Sequence, residues 1–214
     1  MAESSYGVVR GMSPPYYNEG STSQIAINQR GDQLVALSES PQTEIARSQN
    51  SWYVSIATAS AFTNVATMPT TLAELTLKNN EAGDGKSLVI DSIWWMSLTS
   101  ITAIANVSIV YQVNNAAVTN DATQLISSPT GVAAYSGLAT RAVSDTTMVA
   151  NKWCVAASGL SSAAVSIGAG VVANINGGII LAPSFTLGVN IVAGTATGTS
   201  IMGINWHEVK LAES

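Results

Sequence analysis

Residues Ser184–Val209 read SFTLGVNIVAGTATGTSIMGINWHEV, and their pattern decides the fold class. Phe185, Leu187, Val189 and Ile191 alternate with Ser184, Thr186, Gly188 and Asn190. A period of two sends one set to a core and the other outward, as in a half-buried strand. The segment AGTATGTS is small, polar and glycine-rich, so it reverses the chain. Met202, Ile204 and Trp206 share one face of the return strand, which closes on His207 and Glu208. Pro183 stands just before the first strand, where a missing N–H costs least. The expectation is a terminal hairpin of an all-β protein.

The same alternation runs upstream. Ala163, Val165, Ile167, Ala169 and Val171 predict the inward set of one strand. A turn at Asn174–Gly178 (NINGG) and a short strand at Ile179–Leu181 follow it. Ala105, Val107, Ile109, Tyr111 and Val113 predict another inward set, with Ile104, Asn106, Ser108, Val110 and Gln112 outward. Ser87–Leu98 carries Leu88, Ile90, Trp94, Met96 and Leu98 on one face. Its other face holds Val89, Asp91, Ile93 and Trp95, so it is read as a central or covered strand. Before it, Leu75 and Leu77 point inward and Glu74, Thr76 and Lys78 outward, and Asn79–Gly85 (NNEAGDG) is a turn. Trp52–Ser60 opens the globular part, and Lys152–Ala156 begins a further strand. Residues 114–151 form a long polar connection, of a length that is usually functional or interface-forming. Roughly seven to nine strands without a helix predict an antiparallel β-sandwich, jelly-roll-like, over residues 51–214.

Residues 1–50 differ. They hold Pro14, Pro15 and Pro41, many Ser, Gln, Asn and Gly, and the tyrosines Tyr6, Tyr16 and Tyr17. Their apolar patterning is brief: Ile25 with Ile27, then Leu34, Val35 and Leu37. They are read as an extended N-terminal arm, which fully stretched would reach roughly 165 Å. Tyrosines and scattered aliphatic residues favour an arm that docks on a partner over a floppy tail. Its candidate contacts are Tyr6, Arg10, Tyr16, Tyr17, Arg30 and Arg47.

Charge is scarce. Charged residues make up 10% of the chain and hydrophobic ones 47%, against about 25% charged in an average soluble domain. No Asp, Glu, Lys or Arg occurs between Trp153 and His207. A solvated sheet normally carries charge at its edges. The outward faces here are either Ser/Thr-rich solvated surface, a subunit interface where charge would be costly to desolvate, or a pore-forming hairpin; the interface is favoured. The net charge of −5 argues against nucleic acid as a partner. MAESSYGVVRGMSPPYYNEG has neither a basic n-region nor an apolar h-region, so no signal peptide is expected. The weakly apolar run Cys154–Ala182 reads poorly as a membrane helix.

Motifs for chemistry fail on inspection. Gly83–Ser87 (GDGKS) resembles the end of a phosphate loop, but Asn80 stands where its first Gly belongs and a strand follows instead of a helix. Cys154 is the only cysteine and His207 the only histidine. Cys154 is read as a small buried hydrophobe and His207 as an end-of-strand polar residue, with no metal site or nucleophile between them. A glycosidase-type carboxylate pair would have to come from Asp91, Asp121, Asp145 and Glu208. Glu81 with Asp84 is a turn sooner than a calcium site. Asn106-Val107-Ser108 fits a glycosylation pattern but lies mid-strand. Trp52, Trp95 and Trp153 are candidates for stacking on sugars, although buried Trp is the commoner case.

The order of these pieces resembles a known group. A polar arm is followed by NNEAGDGKSLVIDS, then ILAPSFTLGV, a Gly/Thr-rich turn and INWHEV. This order resembles the jelly-roll-like virion proteins of tailed bacteriophages, of the capsid decoration or cement type. The resemblance covers roughly residues 50–210 and rests on turns and strands, not on catalytic signatures. It implies homotrimers on the outer capsid surface of a virion, made in the host cytoplasm, with arms contacting major capsid protein subunits. It implies no cofactor and no catalytic residue. The expected function is therefore a non-enzymatic capsid decoration protein. The alternative is a receptor- or glycan-binding head-fibre or tail module using the 114–151 connection.

Overall fold

A computed structural model describes residues 50–56, 61–83, 85–99, 101–102, 106–118, 126–128, 135, 137–159, 164–165, 167–194 and 198–210. Its strands in chain order are β1 (Ser51–Ser55), β2 (Phe62–Thr63), β3 (Ala73–Asn79), β4 (Ser87–Ser97), β5 (Ile101–Thr102), β6 (Val107–Asn114), β7 (Ile126–Ser127), β8 (Ala139–Asp145), β9 (Cys154–Gly159), β10 (Ala164–Val165), β11 (Gly170–Leu181), β12 (Thr186–Ala193) and β13 (Thr199–Val209). The described residues contain no helix.

Eleven of these strands form two sheets that pack face to face, and β5 pairs with β10 in a separate two-stranded ladder. Sheet one runs β11–β4–β13–β1–β7, and β2 extends the line of β1 along β13. Sheet two runs β8–β3–β12–β6–β9. The pairings within both are antiparallel. Within them lie the four-strand blocks β1–β13–β4–β11 and β3–β12–β6–β9. That is the eight-strand jelly roll, in which the chain passes back and forth between two sheets. The extended arm expected over residues 1–50 lies, but for Asn50, outside the described residues.

The expected terminal hairpin is two strands in different sheets. β12 pairs with β3 and β6, whereas β13 pairs with β1, β2 and β4. The connection between them crosses the sandwich, where sheets lie roughly 10 Å apart. The alternation itself holds: Leu187, Val189, Ile191, Met202, Ile204 and Trp206 are all fully buried between the sheets. Phe185 departs from it. Ser184 adopts a left-handed φ of 70° in the preceding turn, and Phe185 is left 40% exposed before β12 begins.

A bulge explains why β4 reads as apolar on both faces. Asn205 pairs with Ser92 but Trp206 pairs with Ile90, so Asp91 is one extra residue in β4. A one-residue insertion reverses the inward parity. Leu88 and Ile90 face the core before it, Ile93 and Trp95 after it, and Trp94 and Met96 lie only partly buried. β11 answers with a larger insertion: Asn174 pairs with Ser92 and Ile179 with Ile90, leaving residues 175–178 opposite Asp91. Asn176 and Gly177 take left-handed φ values of 49° and 79° there. The predicted NINGG turn is thus a protrusion within one strand. The predicted strand over 163–171 is instead two, β10 and β11, parted by a turn at Ile167 and Gly168.

The long connection after β6 adds an extra strand to each sheet. β7 caps β1 and β8 caps β3, so one side of the sandwich is closed by the chain itself. Arg141 of β8 faces inward and donates from Nη1 to the carbonyl of Ser55 in β1 at 2.6 Å, tying the two capped edges together. On the opposite side β9 and β11 have no outer neighbour among the described strands.

Candidate functional site

The neutral outward residues meet two different fates. On sheet two they are covered by the chain. Trp153 and Met148 pack with Ala73, Val110 and Ala116 into a second apolar cluster over β3, β12 and β6. Its polar neighbours are paired: Thr186 Oγ1 donates to Ala116 O at 3.1 Å, Asn190 Nδ2 to Leu72 O at 2.9 Å, and Gln112 Nε2 to Val149 O at 2.7 Å. Thr76, Thr186 and Asn190 are fully buried, although the strand pattern placed such residues outside. A buried neutral side chain with a partner costs far less than a charge, so this half of the charge deficit needs no second subunit.

On sheet one no described residue covers the outer face. Register aligns Val172, Trp94, Gly203 and Ser55 across β11, β4, β13 and β1. The next row is Asn174, Ser92, Asn205 and Tyr53. Side chains opposite one another share a face. Trp94 lies flat over Gly203, where a Cβ would collide with its indole. Val172 is 57% exposed and Tyr53 39%. Asp91 and His207 lie on this face and contact one another: His207 Nδ1 lies 2.9 Å from Asp91 Oδ1 and 3.1 Å from Oδ2. Asn205 Nδ2 donates to Ser92 Oγ at 2.9 Å beside them. The bulge that reverses β4 thus also aims Asp91 at His207.

The open side carries a groove. Near Gly159 the edges of β9 and β11 almost touch, since a Cβ on that glycine would lie 3.4 Å from Val171 Cγ2. Toward the other end they splay around a cavity of about 550 Å³, lined by Tyr111, Val113, Lys152, Cys154, Gly178 and Ile180. Cys154 is exposed here, which corrects its reading as a buried hydrophobe. Among the described strands β9 is an edge strand, a topological fact that its local sequence WCVAA does not reveal.

The chemistry candidates do not converge. Cys154 is at the edge of sheet two, whereas His207 is engaged with Asp91 on sheet one. Glu208 faces inward at the end of β13, accepting from Lys86 Nζ at 3.0 Å and from the Tyr135 hydroxyl at 2.7 Å. Asp91 points to the other face of the same sheet, and Asp145 ends β8 in sheet two, accepting from Thr147 N at 2.8 Å. Asp121 and Asp84 lie outside the described residues. So do Tyr6, Arg10, Tyr16, Tyr17, Arg30 and Arg47. Among the described residues no three His, Cys, Asp or Glu side chains cluster as metal ligands. Trp52, Trp95 and Trp153 are all buried, and Trp153 Nε1 donates to Thr70 O at 2.9 Å.

One carboxylate stands apart electrostatically. Glu74 is buried beside β8, where Ser144 Oγ donates to it at 2.8 Å. Burial raises its carboxyl above the ordinary 4.5, and the Ser144 hydrogen bond offsets this only in part. The folded state therefore holds the proton more tightly than the unfolded chain. Stability from this group is present at low pH and is lost as pH rises through the raised value. Glu74→Gln is expected to flatten that decline, read as denaturant midpoints at about pH 4 and about pH 7.5. Equal slopes for both chains would show that Glu74 titrates alike in the folded and unfolded states.

No protein-family model, curated protein sequence or solved structure matches this chain.

Proposed function

We propose that this chain is a non-enzymatic structural protein that binds and stabilises the outer surface of a viral shell and self-associates, as a homotrimer, to do so. The observation that carries the reading is the outer face of sheet one, which no described residue covers. It offers Tyr53, Trp94, Val172 and Ile201 around a hydrogen-bonded Asp91–His207 pair. Such a face, low in charge and holding aromatic side chains, has the composition of an interface centre. The jelly-roll strand order adds support, because viral shell proteins share it, although fold alone assigns no function. A glycan-binding reading draws less support, since its tryptophan candidates Trp52, Trp95 and Trp153 are packed into the protein.

The double variant Tyr53→Glu, Val172→Glu places two charges on this face at exposed positions. It is expected to keep the native fold and to lose co-sedimentation with the shells of its source virus. A chain lacking residues 1–49 is expected to remain folded and to lose shell binding as well. Retention of the double variant on shells at native levels would remove sheet one as the docking face.

A further inference from the structure

We infer that the open side of the sandwich is where one copy of this chain receives another, with the Ile167 turn of one copy seated in the groove between β9 and β11 of the next. This deepens the self-association part of the function proposed above and rests on it.

Three observations converge on that side. Among the described strands, β7 and β8 cap two sheet edges and none caps β9 or β11. Bare edges are ordinarily protected by Lys, Pro or short length. β9 reads CVAASG and β11 reads GVVANINGGIIL, with no charge and no proline in either. The bulge at 175–178 does not screen the edge, because Gly177 folds against Val89 on the outer face of the sheet.

The second observation is a knob and a hole on one strand. Ile167, in the turn that enters β11, is 68% exposed. The groove lies by the other end of β11, with Gly178, Ile179 and Ile180 in its wall. At about 550 Å³ it has room for an isoleucine and its turn. A surface that carries both a protruding apolar group and an apolar cavity is complementary to a copy of itself, and head-to-tail seating closes into a ring when the rotation permits.

Charge is the third observation. The charged side chain lining the groove is Lys152, on a chain of net charge −5. Two acidic copies repel wherever their carboxylates meet. They approach most readily where one offers a lysine at the rim and neither offers an acid.

Cys154 makes the contact measurable, because the chain's only thiol lines this groove. The native chain is expected to show a multiple of 22.0 kDa by light scattering, with Cys154 reacting slowly with a maleimide probe and faster on dilution. Ile167→Asp is expected to weaken association by about 30-fold or more, as loss of a buried apolar anchor does, and to free the thiol. Ile167→Val is expected to behave as the native chain. Ile180→Asp, placed in the wall of the groove, is expected to repeat the Ile167→Asp result. All four chains are compared by circular dichroism, so a misfolded variant is recognised and the other used. A native mass of 22.0 kDa at high concentration, or unchanged mass and thiol reactivity in both Asp variants, overturns the proposal. Shell binding separates the two readings. Association through Ile167 without affinity for shells sinks the shell reading alone, and shell binding by a monomer sinks this one.

Discussion

Trp206→Ala is expected to cost about 3–5 kcal/mol of folding stability, roughly a fifth or more of what a domain typically has. Trp206 is fully buried in β13, which lies between β4 and β1 in sheet one. Its ring meets the Tyr135 ring edge-on, with centroids 6.3 Å apart. Removing it deletes a large apolar area and leaves a cavity that close-packed sheets fill only in part. Trp206→Phe is expected to cost much less. The buried indole N–H finds no acceptor among the described residues, so losing it removes an unmet donor along with some ring volume. Urea unfolding with an unchanged slope is the measurement. A midpoint for Trp206→Ala equal to that of the native chain would refute the role of this residue in the core.

Glu208→Ala carries the next largest effect, about 3 kcal/mol, because a buried carboxylate here satisfies two donors at once. It accepts from Tyr135 and Lys86, and the Tyr135 oxygen in turn accepts the Ala139 N–H at 2.8 Å. Trp52 packs edge-on to Tyr135 with centroids 4.8 Å apart, so the cluster pins the long connection to the mouth of the core. Lys86→Ala is expected to cost only about 0.5–1 kcal/mol, since that ammonium is half exposed and screened. Tyr135→Phe should fall between, at about 1–2 kcal/mol. Burial, and after it the Glu208 carboxylate, hold the Tyr135 phenol far above its ordinary 10. The folded state thus keeps a proton that the unfolded chain releases. This stability is complete below about pH 10 and drains away above it. Tyr135→Phe should remove that alkaline loss. If Glu208→Ala proved no worse than Lys86→Ala, the tyrosine bond would contribute nothing.

Alternation made the strands legible, because a core between two sheets demands it residue by residue. Leu75, Leu77, Val107, Ile109, Val189 and Ile204 all face inward as their spacing predicts. Partners were not legible. Ser184–Val209 reads as a hairpin since nothing local distinguishes a tight reversal from a crossing to the other sheet. Parity failed after Asp91, where one inserted residue turned Ile93 and Trp95 to the core. The covered face of sheet two was hidden for a different reason. Thr186 and Asn190 are polar because they bond backbone carbonyls of distant loops, and such bonds leave no periodic trace. The groove was missed because it arises from two edges distant in sequence, and Cys154 acquires its exposure only from that geometry.

The position of β13 has a consequence for how the protein is made. A ribosome makes β13 after every other described strand, yet β13 separates β4 from β1 in the finished sheet. Until it arrives, sheet one exists only as β11 with β4 and, apart from them, β1 with β7. Domains generally fold as units during synthesis at about 5–20 residues per second. Here the unit closes only when Thr199–Val209 has emerged, and the pairing of residues 51–55 with residues 203–207 spans nearly the whole sandwich. Translation halted before Thr199 would deliver two half-sheets with four open edges, a product that quality control must remove before it aggregates.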